Sequence, residues 1–119
     1  MFLVLFILND PEKCYDVLDA WEGAGTSGVT ILPSTGLGRI RSVGLLEDIP
    51  LMPSLEEFFM HDETQHRTLI TAVKERAVVD RVIQATYRVV GDLNLPHTGI
   101  LVVMPVLEAY GLDRKGGAR

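Results

Sequence analysis

The run Phe2-Leu3-Val4-Leu5-Phe6-Ile7-Leu8, closed by Asn9-Asp10-Pro11, decides how the rest of the chain is read. An unbroken apolar run describes a strand covered on both faces or lying in the middle of a sheet, because a strand with one wet face places polar side chains at alternate positions. Asp10 then has the make-up of an N-cap, and Pro11 that of a first helical residue, whose missing N–H would have had no intrahelical partner in any case. Downstream, Cys14, Val17, Leu18 and Trp21 fall at i, i+3, i+4 and i+7 and so share one helical face, while Glu12, Lys13, Asp16 and Asp19 point elsewhere. The spacing predicts a helix that packs on the sheet through that stripe and stops at Gly23 or Gly25. A second strand is expected from about Gly28 to Leu32.

The same order returns later in the chain. Thr68 to Val73 reads as a strand, Ala77 to Val90 as a helix with Val79, Val82, Ile83, Thr86 and Val90 on one side, and Ile100 to Met104 as a final strand. No sequence repeat accompanies the duplicated pattern. Two strand-helix-strand units in one small domain predict an α+β fold of the ferredoxin-like βαββαβ type, an antiparallel sheet with both helices on one face. Between the halves runs a segment from about Ile40 to Gln65, long for a compact domain and therefore functional or partly disordered. Within it Ser54-Leu55-Glu56-Glu57 is a capping-box signature ahead of Phe58 and Phe59, which predicts a short helix pinned by aromatics. Leu51, Met52, Phe58 and Phe59 would either dock a partner or pack on their own subunit. Residues 111–119 read as a C-terminal tail.

The chain has 119 residues, the usual size of a single domain with one core. Its hydrophobic content of 47% beside 23% charged residues is that of a globular protein and too apolar for a disordered one. A net charge of −5 argues against a general binder of nucleic-acid backbone, which needs a concentrated basic face. The lone Cys14 leaves no internal disulfide and suits a reducing compartment; on the apolar stripe it reads as core rather than nucleophile. The apolar start lacks a basic flank and is too short to span a bilayer. A cytoplasmic protein without membrane insertion is expected. No Ser/His/Asp or Cys/His arrangement is visible, so no enzyme is expected.

Gly28-Val29-Thr30-Ile31-Leu32-Pro33-Ser34-Thr35-Gly36-Leu37-Gly38-Arg39 is a strand-like run that empties into two glycines one residue apart and then a cation. Glycines let successive backbone N–H groups converge on an anion, and the arginine fork matches phosphate or carboxylate oxygens. By itself the pattern also describes a plain turn with a solvated arginine. Arg41 would share a face with Arg39 in an extended segment.

Taken in order, these residues resemble the PII nitrogen-regulatory signal proteins and the wider PII-like superfamily. Gly28-Val29-Thr30 is similar to the start of that family's second strand, Gly36-Leu37-Gly38-Arg39 to its Gly-Phe-Gly-Arg at the base of the T-loop, Gly91-Asp92 to the opening of its phosphate-contacting B-loop, and Met104-Pro105-Val106 to the end of its last core strand. The resemblance implies a homotrimer whose inter-subunit clefts bind a small effector, typically an adenine nucleotide, while the T-loop engages a protein target. By the same resemblance Gly36, Leu37, Gly38 and Arg39 lie beside Gly91 and Asp92 of one subunit, with Gly28, Val29 and Thr30 supplied by its neighbour.

The chain departs from that pattern in its cations. Leu93-Asn94-Leu95-Pro96-His97-Thr98-Gly99 replaces the family's second glycine and lysine, and Glu108-Ala109-Tyr110-Gly111-Leu112 stands where an arginine pair is expected, with only Arg114 beyond. Fewer cations weigh against strong triphosphate binding and leave a monophosphate, a cyclic or less charged adenosine ligand, or another metabolite. His97 would approach an anion in place of the lysine, since imidazolium donates from both nitrogens; as a polar loop residue it would do nothing. The 40–65 segment has no tyrosine, so tyrosine-directed uridylylation has no acceptor there. A second reading is a metal-responsive CutA-like trimer using His61 and His66 of His61-Asp62-Glu63-Thr64-Gln65-His66, although these histidines do not share a helical face. A third is a constitutive interaction module with a vestigial cleft.

Overall fold

The computed structural model describes residues 1–36 and 66–112. Within them β1 (Phe2–Leu8) is followed by a 3-10 turn (Pro11–Lys13), α1 (Cys14–Ala24), β2 (Thr30–Ser34), β3 (His66–Val73), α2 (Arg76–Val90) and β4 (Gly99–Pro105). The strands form one sheet in the order β2-β3-β1-β4, with every neighbouring pair antiparallel. This is an α+β fold with the strand order of a ferredoxin-like sandwich. The predicted segment around 40–65, including the Ser54–Glu57 helix and the patch of Leu51, Met52, Phe58 and Phe59, lies outside the described residues, as do Arg39, Arg41, His61 and Arg114.

β1 is the middle of the fold because it pairs on both sides: Phe6 faces Leu69 of β3 and Leu101 of β4, and Val4 faces Thr71 and Val103. Val4, Phe6 and Leu8 are fully buried under the two helices. Each such apolar side chain contributes about 1.5–3 kcal/mol by leaving water. The helices meet them through the predicted stripes, Val17 and Trp21 from α1, and Val79, Val82, Ala85, Thr86 and Val90 from α2. Cys14 and Leu18 are half-buried at the margin of this core, and Ile83 packs against it. Burial raises the Cys14 thiol pKa, and the nearby Arg67 guanidinium opposes the shift. Trp21 tilts its ring against Phe6 at a centroid distance of 6.4 Å.

Local chemistry sets the ends of the elements. Asp10 accepts the Glu12 N–H at 3.0 Å, and Pro11 opens the turn, as the sequence predicts. α1 runs through Gly23 and ends at Gly25, whose φ of 106° is the left-handed cap that a side chain would resist. Arg81 of α2 donates to the Ala24 carbonyl at 3.0 Å and so covers an acceptor left over at the α1 C-terminus.

β2 begins two residues later than expected and ends two residues later. The Thr71 hydroxyl takes the Gly28 carbonyl at 2.6 Å, which holds the chain before the ladder starts at Thr30 opposite Ile70. The ladder then continues through Pro33, which an edge strand accommodates because its missing N–H leaves no internal partner unpaired. β3, by contrast, starts two residues earlier than expected, at His66.

Among the described residues the other face of the sheet carries no helix. It presents Leu3, Leu5 and Ile7 from β1, Ile70 and Ala72 from β3, Leu32 from β2, and Ile100, Val102 and Met104 from β4, with Thr30, Thr68 and Ser34 toward the β2 side. Ile100 is 60% exposed and Leu32 46%. No ionisable side chain interrupts this face between its ends.

Candidate functional site

One end of the sheet collects most of the predicted effector residues that the structure describes. There β1 finishes at Leu8, β2 at Ser34 and α2 at Val90, while β3 starts at His66 and β4 at Gly99. Gly36, Gly91, Asp92 and His97 all belong to the loops at that end. Leu37, Gly38 and Arg39 continue beyond the described residues. Gly28 and Val29 lie away from this end, on the Ala72 side of the Thr30–Ile70 pair, where they line a cavity of about 380 Å³ against Leu18 and Glu22 of α1. Thr30 stands mid-sheet on the exposed edge strand. A single chain therefore does not bring Gly28, Val29 and Thr30 to the loops that hold Gly36, Gly91, Asp92 and His97.

Gly36 and Gly91 at this end are glycine for different reasons. A Cβ on Gly36 would stand 3.3 Å from Cε1 of His66, so the chain leaving β2 passes close to that ring. Gly91 has open space around it but a φ of 84°, and its N–H closes α2 on the Tyr87 carbonyl at 2.9 Å. Only glycine holds such a backbone without strain. Asp92 uses its carboxylate locally, accepting the Asn94 N–H at 2.9 Å, while its carbonyl accepts from Leu95. Thr98 donates to the Leu95 carbonyl at 2.9 Å. The 91–98 loop is thus held by its own side chains, and Leu93 anchors it on the core.

His97 sits in that loop with a φ of 66°, uncommon for a residue with a side chain. It lines a cavity of about 230 Å³ on the open face together with His66 and Asn9. Local spacing gives these histidines two different roles, His97 toward an anion and His66 toward a metal with His61. Cross-strand register, which local spacing does not reveal, is what joins them. Leu8 pairs with Arg67 on one side and with Gly99 on the other, so the next residues out, His66 and Thr98, flank Asn9. Asn9 donates its N–H to the Thr98 carbonyl at 3.4 Å.

Local spacing does not single out Arg67 either. It lies on β3 at this end, donates Nη1 to the His66 carbonyl at 3.1 Å and acts electrostatically on Cys14. Lys13 and Arg88 are at the same end, in the turn before α1 and the last turn of α2. Among the described residues the cations there come from the strand and helix ends, not from the loop between α2 and β4. Their signal in the sequence was their place beside predicted element ends.

A third cavity, of about 320 Å³, lies at the opposite end, lined by Thr26, Ser27, Lys74, Glu75 and Leu112. Among the described residues, no group of three or more His, Cys, Asp or Glu is placed to hold a metal ion, and no helix is long and apolar enough to cross a membrane. No family model matches the chain, and no curated protein matches it.

Proposed function

We propose that this chain is a PII-like regulatory protein and not an enzyme: a homotrimer that binds a small anionic effector, an adenine nucleotide or a less charged relative, in clefts between subunits, and contacts a protein target through its 40–65 segment. The observation that carries this reading is the uncovered sheet face. β1 is apolar on both sides, yet among the described residues helices cover one side only. An antiparallel sheet that meets water on one face alternates apolar and polar residues, and β1 and β4 do not. A face built this way is built to be covered, and other copies of the chain supply the cover.

Assembly also supplies what the single chain lacks. Gly28, Val29 and Thr30 of one copy would complete a cleft whose other wall is Gly36, Gly91, Asp92 and His97 of the next. Lys13, Arg67 and Arg88 offer cationic donors for one or two phosphate groups at that end, beside the carboxylates of Asp10, Glu12 and Asp92. Gly36 stands at the root of the segment that would meet the target, so an effector seated there has a direct route to it.

Titration calorimetry against AMP, cyclic AMP, ADP and ATP tests the sensing half. The reading expects saturable heat at one site per chain for at least one of them, and a loss of about tenfold or more in Gly36→Asp, which sets bulk and negative charge against the anion and the His66 ring. No heat from any of the four, with the protein folded and assembled, would remove nucleotide sensing.

A further inference from the structure

We propose that the outer edge of β4 pairs antiparallel with the β4 edge of a second copy, joining two sheets into one across a two-fold axis. The contact lies on the strand edge and not on the open face, so it and the regulatory reading can fail separately.

The register shows which way the β4 backbone points. Asn9 donates to the Thr98 carbonyl at 3.4 Å and Val106 to the Met1 carbonyl at 3.1 Å, and both pairs continue the β1–β4 register. Bonds in an antiparallel ladder fall at alternate pairs, so β4 meets β1 through Ile100, Val102 and Met104, while Leu101 and Val103 turn their N–H and C=O groups outward. β4 ends the sheet, and no hydrogen bond among the described residues reaches its outer side. Edges of this kind are normally blunted by a charge, a proline or a bulge. The opposite edge strand, β2, has Pro33 in that role. β4 carries no charge and no proline before its last residue, Pro105, and its register with β1 runs unbroken from Gly99 to that end.

β4 is also complementary to itself. With Val102 opposite its own copy, Leu101 and Val103 of one chain exchange N–H and C=O bonds with Val103 and Leu101 of the other, and Ile100 lies opposite Met104 on the open face. Pro105, which has no N–H to offer, falls at the end of the ladder opposite Gly99. Every cross-strand pair is uncharged, so no ion leaves water when the edges meet. The same patch serves both chains, as a two-fold contact requires. A single strand pair covers little surface, so the contact is weak and forms only above the micromolar range, after the open face is covered.

Two measurements on the full chain test this. In a Cys14→Ser background, Val102→Cys sets like residues at a non-hydrogen-bonded pair, where Cα atoms approach to about 4.5 Å and a disulfide can close. Mild oxidation of concentrated protein should convert Val102→Cys to a covalent dimer. Ile100→Cys or Met104→Cys alone should give little dimer, and a mixture of these two should cross-link one to the other. On the wild-type chain, where no variant can misfold, hydrogen exchange at the Leu101 and Val103 amides should slow by about tenfold or more between dilute and concentrated solution, while the Val102 amide, already bonded to β1, is slow in both. Absence of the Val102→Cys dimer, equal cross-linking of all three cysteine variants, or Leu101 and Val103 amides that exchange at one rate at both concentrations would overturn the proposal.

Discussion

Trp21 and Thr86 are where the two helices are fastened to each other. The indole Nε1 donates to Thr86 Oγ1 at 2.8 Å, the same hydroxyl donates to the Val82 carbonyl at 2.8 Å, and both residues are fully buried. Thr86→Val preserves shape but strands the indole N–H away from water, and should cost about 1–3 kcal/mol in urea unfolding. Gly99 is constrained more severely. Its φ is 141°, and a Cβ there would collide with the Ile7 carbonyl oxygen. Gly99→Ala should therefore destabilise by about 2–4 kcal/mol, and a loss below 0.5 kcal/mol (on the order of a surface change) would contradict the close approach of β4 to β1. Cys14 has a thiol pKa raised by burial. The sign is that of a group kept neutral by the fold: stability is full below the unfolded thiol's pKa and falls as pH rises through the folded value. Alkylation of native Cys14 should accordingly lag behind that of the unfolded chain at mildly alkaline pH.

At the scale of elements, legibility follows the range of the forces involved. The helices were readable because their stripes are local: Cys14, Val17, Leu18 and Trp21 need only their own spacing to declare a face. β1 was readable from composition alone. The start of β2 was not, because a long-range hydrogen bond from Thr71 to the Gly28 carbonyl decides where the ladder begins. The joining of His66 to His97 was hidden for the same reason, since both positions depend on how β1 registers with two strands distant in sequence. Arg81 is a comparable case, an exposed-side residue of α2 whose structural task is at the end of α1. Arg81→Ala should cost about 1 kcal/mol, measured as a shift in the denaturant midpoint, and the loss should shrink if α1 frays at Ala24 to let water reach the carbonyl.

At the scale of the whole molecule, the described helices cover one face of the sheet and not the other. The helix side has a closed core from Val4 to Val82, whereas Ile100, Val102, Met104 and Leu32 remain exposed on the far side. Self-association is the central claim drawn from that contrast, and the cleft, the effector and the signalling segment all depend on it. Ile100→Lys places a charge on the exposed edge strand of that face, at a residue 60% exposed, without touching the helix-side core, so it should separate the copies and leave the fold intact. Sedimentation equilibrium on the wild-type chain and on Ile100→Lys measures this most directly. The account predicts about three times the 13.2 kDa chain mass for the wild type and 13.2 kDa for the variant, with unchanged circular dichroism. A wild-type chain that stays at 13.2 kDa across the micromolar range would contradict it.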